Sequence, residues 1–144
     1  MDYKLELVIV PVSDVDRAKT FYIEQAGFDL NVDHRAGDEF RVVQLTPPGS
    51  ACSIAVGLGI TSAAPGSVRG LHLMVTDIVA ARDELLARRV DVSELRHIEA
   101  GVWSEGPHPE RRDYNSFADF ADPDGNTWLL QERGYDAPGL VARI

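Results

Sequence analysis

His72 and Asp119 are the side chains best suited to moving a proton. An imidazole titrates near neutrality, so His72, inside the apolar run Gly70 to Val75, suits a general base or a donor to a ligand carbonyl. Asp119, one residue before Phe120, pairs with it only if strand alternation turns its carboxylate inward. Trp103, His108, Tyr114 and Phe117 follow in a stretch rich in turn residues, where aromatic rings either stack on a flat ligand or roof over a hollow. The single cysteine, Cys52, excludes an intrachain disulfide and a CxxC metal or redox motif, and reads as a small buried apolar residue. The chain has no Gly-rich loop opening a helix and no Lys/Arg cluster on the expected binding face. Nucleotide and phosphonate substrates are therefore disfavoured.

The elements that must position these residues repeat. Leu5 to Val12 is a β-branched run, Ser13 with Asp16 has the shape of a capping box, and Val15 to Ala26 has helical spacing before Gly27. Strand-like runs follow at Phe28 to Asp33, Phe40 to Thr46 and Ala51 to Leu58. After the small, nearly uncharged segment Gly59 to Arg69, the order restarts with a strand (Gly70 to Val75), a Thr76-Asp77 cap and a helix through Ile78, Ala81, Leu85 and Leu86. Val90 to Leu95, Ser116 to Phe120 and Thr127 to Gln131 complete it, the last after the turn Asp122-Pro123-Asp124-Gly125-Asn126. Val12-Ser13-Asp14-Val15 matches Val75-Thr76-Asp77-Ile78 at an offset of 63, and Ala18 matches Ala81, so two near-copies of one unit describe the chain. Residues 98 to 115 have no counterpart in the first copy and read as a long loop with a Pro107-His108-Pro109 turn.

Alternation assigns faces. Val8, Val10 and Val12 point to the helices, leaving Leu7, Ile9 and Pro11 on the opposite side. Leu71, Leu73 and Val75 likewise leave Gly70, His72 and Met74 opposite. In the last strand Trp128 and Leu130 share the core side, while Thr127, Leu129 and Gln131 share the other. The Arg111-Arg112-Asp113 run reads as a solvated loop face.

With 144 residues, 44% hydrophobic and 26% charged, the composition is that of an ordinary folded globule rather than a disordered or fibrous chain. Fourteen Lys and Arg against 23 Asp and Glu give a formal charge of −9, which repels nucleic acid and anionic membranes. No apolar run approaches the roughly 20 residues that span a bilayer, and the N-terminus lacks a signal-peptide pattern, so the expected location is the cytoplasm.

The segments PVSDVDRAKTFYIEQAGF, VTDIVAARDELLARRV and FADPDGNTWLLQE, in that order, resemble the vicinal oxygen chelate superfamily of glyoxalases, bleomycin-resistance proteins and dioxygenases. The resemblance spans about residues 5 to 132. It implies an α+β fold of two βαβββ modules, whose eight strands form an incomplete barrel around a cleft, usually in a homodimer. The expected divisions are a first module at 1–58, a linker at 59–69, a second module at 70–133 and a tail at 134–144 that crosses to a second subunit or frays. The metal ligands of the family's enzymes map to Leu7, Ser53, Gly70 and Leu129, which offer a cation one neutral hydroxyl. No metal or other cofactor is therefore expected.

The cleft would be lined by Leu7, Ile9, Ser53, Met74, Leu129 and Gln131, with Trp103, His108, Tyr114 and Phe117 near its mouth. Such a surface suits a hydrophobic small molecule held by packing and oriented by a few hydrogen bonds. Three functions remain open. The protein sequesters a hydrophobic antibiotic or metabolite; or it is a metal-independent isomerase, cyclase or lyase using His72, with Asp119; or it is a metal-dependent enzyme with displaced ligands.

Overall fold

A computed structural model describes residues 1–137 and resolves two compact units. The part of the C-terminal tail beyond residue 137, with Leu140, Val141 and Ile144, lies outside the described residues.

The first unit comprises Met1–Arg69 with Ala121–Thr127. Its elements run β1 (Leu7–Ile9), α1 (Val15–Thr20), β2 (Asp29–Ala36), β3 (Phe40–Thr46) and β4 (Ser53–Leu58), in the sheet order β1-β4-β3-β2. β1 is parallel to β4, and the other pairs are antiparallel. Helix α1 starts at Asp14, whose carboxylate accepts from the Arg17 N–H at 3.1 Å. The expected Ser13 box does not form, because the Ser13 hydroxyl donates at 2.6 Å to Asp124 instead. Past Thr20 the helix widens into a π-helical turn over Phe21–Gln25, and Gly27 in the left-handed region (φ 79°) ends it as expected. Val10, Ala18, Phe21, Tyr22, Val43, Leu45 and Val56 fill the core.

Arg41, 8% exposed, is held bidentate by Asp33 at 2.9 and 3.0 Å and by Asp16 at 2.7 Å. Hydrogen bonds from Arg41 and then Lys19 hold the Asp33 carboxyl well below the usual carboxylate range, while Asp33 and Asp16 raise the Arg41 guanidinium.

The segment read as a linker is pinned rather than loose. The Gly66 N–H donates to the Pro11 carbonyl at 3.1 Å, and Arg69 Nη1 donates to the Gly66 and Gly125 carbonyls. Asn126, fully buried, donates at 2.8 Å to both the Pro11 carbonyl and Asp122 and accepts from the Val68 N–H at 3.0 Å. Tyr22 closes the cluster by donating to Asp122 at 2.8 Å. These bonds explain why the Asp122 to Asn126 turn belongs with the first unit, whereas sequence order assigned it to the second.

The second unit comprises Gly70–Phe120 with the chain from Trp128 on. Its elements are β5 (Leu71–Val75), α2 (Ile78–Ala87), β6 (Arg96–Glu99), β7 (Val102–Glu105), β8 (Ser116–Ala121) and β9 (Thr127–Glu132), in the sheet order β5-β9-β8-β6-β7. Asp77 caps α2 through the Ala80 N–H at 3.1 Å, with backbone angles close to those of Asp14, so the repeat extends to the caps. Ile78, Leu85, Val90, Val92, Phe120, Trp128 and Leu130 form the core, with Phe120 stacked on Trp128 at 6.3 Å, while Leu86 turns to solvent.

Two expectations are corrected. The strand placed at Val90 to Leu95 is instead a lead-in that buries Val90 and Val92 and donates from the Ser93 N–H to the Asp119 carbonyl at 2.8 Å, and the ladder begins at Arg96. The loop expected from residue 98 opens with a β-hairpin, β6 to β7, giving this sheet an extra strand.

Candidate functional site

The exposed face of the second sheet gathers most of the residues singled out in the sequence. Along β5 the burial alternates, and His72 and Met74 are the exposed pair. Along β9 Trp128, Leu130 and Glu132 are buried, leaving Leu129 and Gln131, the register partners of His72 and Met74, on the same face as those two. Phe117 and Asp119 alternate with buried Ser116, Ala118 and Phe120 on β8. Arg96 pairs with Phe117 and Ile98 with Trp103, which brings those four to the same face.

The polar groups on this face are ordered by specific bonds. His72 Nδ1 lies 3.1 Å from Gln131 Oε1, and Gln131 Nε2 donates to the Tyr114 carbonyl at 3.0 Å. Trp103, about half exposed, meets Phe117 at 5.3 Å between ring centres, and the Arg96 guanidinium sits 5.7 Å from the Trp103 ring. Asp119 bonds to Arg96 at 3.0 Å, so the pairing considered for it with His72 gives way to an ion pair. Burial pushes the Asp119 carboxyl up, but Ser93 and Arg96 together outweigh it and leave it below its ordinary value. Tyr114, also about half exposed, holds a left-handed backbone and carries Arg133 over its ring at 5.7 Å.

Other expected site residues stand elsewhere. His108 is 1% exposed and faces the interior, its N–H bonded to Ser116 and its ring edge-on to His97, so it is removed from the aromatic face. Leu7 and Ile9 project from the first unit's sheet at 38% and 39% exposure. Ser53, the register partner of Leu7, is buried with its hydroxyl 2.6 Å from the Thr46 hydroxyl.

Of the positions to which the family resemblance assigns metal ligands, Leu7 and Ser53 belong to the first unit and Gly70 and Leu129 to the second. Among the described residues no group of three or more His, Cys, Asp or Glu is arranged to hold a metal ion. No helix among them is long and apolar enough to cross a membrane.

A hollow of about 440 Å³ lies beside the Pro107-His108-Pro109 turn, lined also by Glu110, Arg111 and Tyr135. Its cation is committed. Arg111 grips fully buried Glu132 bidentate at 2.6 and 2.8 Å, also reaches Asp77 at 3.1 Å, and lies under the Tyr135 ring. The solvated loop face expected for Arg111 is therefore a structural ion pair. Glu132 also accepts the Ile78 N–H at 2.8 Å at the start of α2. Neither Glu132 nor Arg96 was singled out from the sequence. Glu132 was legible there, because two residues beyond Trp128 and Leu130 puts it on the core side.

The model of the Glyoxalase/Bleomycin resistance protein/Dioxygenase superfamily matches residues 4–130. Among solved structures the chain is similar to TnmS3, an antibiotic binding protein from Streptomyces sp. CB03234, with 34% identity and a TM-score of 0.70 over 91% of this chain and 96% of that one. A glyoxalase/bleomycin resistance protein from the same strain shares 35% identity with a TM-score of 0.67, over 89% of this chain and 99% of its own. The uncharacterized protein YetH of Bacillus subtilis (strain 168) is 27% identical over 125 residues, covering 87% of this chain and 94% of that protein.

Proposed function

Because the chain belongs to the Glyoxalase/Bleomycin resistance protein/Dioxygenase superfamily, we propose that it binds and sequesters a hydrophobic organic molecule, an antibiotic or a metabolite, without a metal. The observation that carries this reading is the exposed face of the second sheet. There Met74, Leu129, Phe117 and Trp103 supply apolar and aromatic contact, while His72 and Gln131 supply a few fixed polar groups. A soluble protein has little reason to leave such side chains in water unless something covers them. The likeness to an antibiotic binding protein supports the same class of ligand.

A thermal-shift screen of hydrophobic antibiotics and aromatic metabolites tests the proposal, since a ligand at a hundred times its Kd adds about 2.7 kcal/mol of apparent stability. Leu129→Trp, which fills the face, should abolish the shift produced by any hit while leaving the unliganded melting temperature within a few degrees. A hit whose shift survives this substitution binds elsewhere and counts against the site. A homodimer is part of the proposal, on the strength of the family resemblance, and light scattering on the purified protein measures it.

One observation favours turnover as a second reading. His72 is held by Gln131 with its other ring nitrogen turned away from that bond, which suits a general base. His72→Ala should then abolish conversion of a bound compound while changing its affinity less than about tenfold.

A further inference from the structure

We infer that the ligand carries a hydroxyl group, phenolic or enolic, that donates a hydrogen bond to Nε2 of His72. The inference rests on the binding reading above and deepens it. The chain of donors on this face has one consistent direction. The Tyr114 carbonyl can only accept, so the nitrogen of the Gln131 side chain must be the group 3.0 Å from it, and the amide oxygen must face His72. That oxygen also only accepts, so the proton of the neutral imidazole sits on Nδ1, 3.1 Å away. Nε2 is left with its lone pair, an acceptor on a face that is otherwise largely hydrocarbon.

Water satisfies that acceptor while the face is bare. An apolar ligand that covers it without a donor strands it, and the cost of a buried unsatisfied acceptor exceeds the worth of an ordinary hydrogen bond. The surroundings fix what accompanies the hydroxyl. His72 is the register partner of Leu129, and the bond from the Asp122 N–H to the Asn126 carbonyl, which closes the turn between β8 and β9, counts Asp119 opposite Leu129 and Phe117 opposite Gln131 on the next strand. His72, Leu129 and Phe117 therefore share one face along a diagonal across three strands, about 12 Å long at the usual strand spacing and rise. A flat hydroxyarene of two to four fused rings matches it, with its hydroxyl over His72 and its far rings against Phe117 and Trp103.

Hydroxypyrene and its methyl ether make the test, because they differ in the donor and little in shape. Titration by fluorescence should show hydroxypyrene binding about tenfold more tightly than the ether. His72→Phe should erase that ratio, chiefly by tightening the binding of the ether, which no longer strands an acceptor. Gln131→Met keeps the face apolar but releases the ring; it should lower the ratio, and proton–nitrogen correlation NMR should show the His72 tautomer change from Nδ1-protonated to a mixture.

The outcomes separate the two readings. Equal affinity for both compounds, blocked by Leu129→Trp, overturns the hydroxyl requirement and leaves the apolar site standing. A bare Nδ1 in the free wild-type protein overturns the inference at its first step. Binding of neither compound overturns the binding reading, and the inference falls with it.

Discussion

Glu132 is a fully buried carboxylate in the middle of a folded core edge, and it is tolerable only because every direction from it is answered. Two guanidinium nitrogens and the first N–H of α2 reach it. Hydrogen bonding to Glu132 raises the Arg111 guanidinium more than burial lowers it, so Arg111 stays charged. Replacing one partner should therefore cost more than replacing both. Arg111→Met leaves a buried anion and should destabilise by about 3 kcal/mol, whereas Arg111→Met with Glu132→Gln should recover at least half of that, because glutamine still accepts from Ile78. Urea unfolding measures both. If the double variant is no more stable than the single one, the stranded charge is not the source of the cost. The strand period, carried two residues past Leu130, is the signal that would have marked Glu132 as buried. No sequence pattern pointed to Arg111 as its partner, because the two meet through a turn whose backbone bends into the left-handed region at Arg111 (φ 50°).

Among the elements, those governed by local chemistry were legible and those governed by tertiary pairing were not. The polar pairs Ser13-Asp14 and Thr76-Asp77 announced both helix starts, although the first cap is Asp14 and not the Ser13 box, and the glycine after the π-helical turn announced the stop. The β6 to β7 hairpin gave no such signal. Its two-residue turn, Ala100-Gly101, has both residues at positive φ (49° and 78°), the geometry that normally selects Asn-Gly or Asp-Gly. Alanine in the first place concealed the turn, and the alternating Val90 and Val92 drew the strand six residues too early by imitating a half-buried ladder. The same observation gives a prediction. Ala100→Asn relieves a left-handed alanine and should stabilise the protein by about 0.5 kcal/mol, while Ala100→Val should destabilise it by at least 1 kcal/mol. Paired denaturation curves decide it, and equal stability of the three proteins would mean that this hairpin frays before the cooperative transition.

For the whole molecule the governing quantity is charge. At −9 the chain surrounds every ligand with a repulsive field for anions, and the cation on the candidate face, Arg96, is already paired with Asp119 at 3.0 Å. Selection between flat hydrocarbons of similar shape should then be electrostatic at long range and polar only at His72. Pyrene sulfonate should bind more weakly than neutral hydroxypyrene at low ionic strength. Screening shortens the reach of the field to about 10 Å at 0.1 M salt and about 3 Å at 1 M. Raising the salt across that interval should therefore strengthen sulfonate binding several-fold and shift the neutral compound only slightly, by the modest salting-out common to apolar solutes. The opposite slope, sulfonate weakening as salt rises, would mean that Arg96 exchanges Asp119 for the ligand and that the local cation, not the net charge, rules the site. The Arg96→Gln variant separates the cases, because it removes the local attraction while moving the net charge by only one unit from −9.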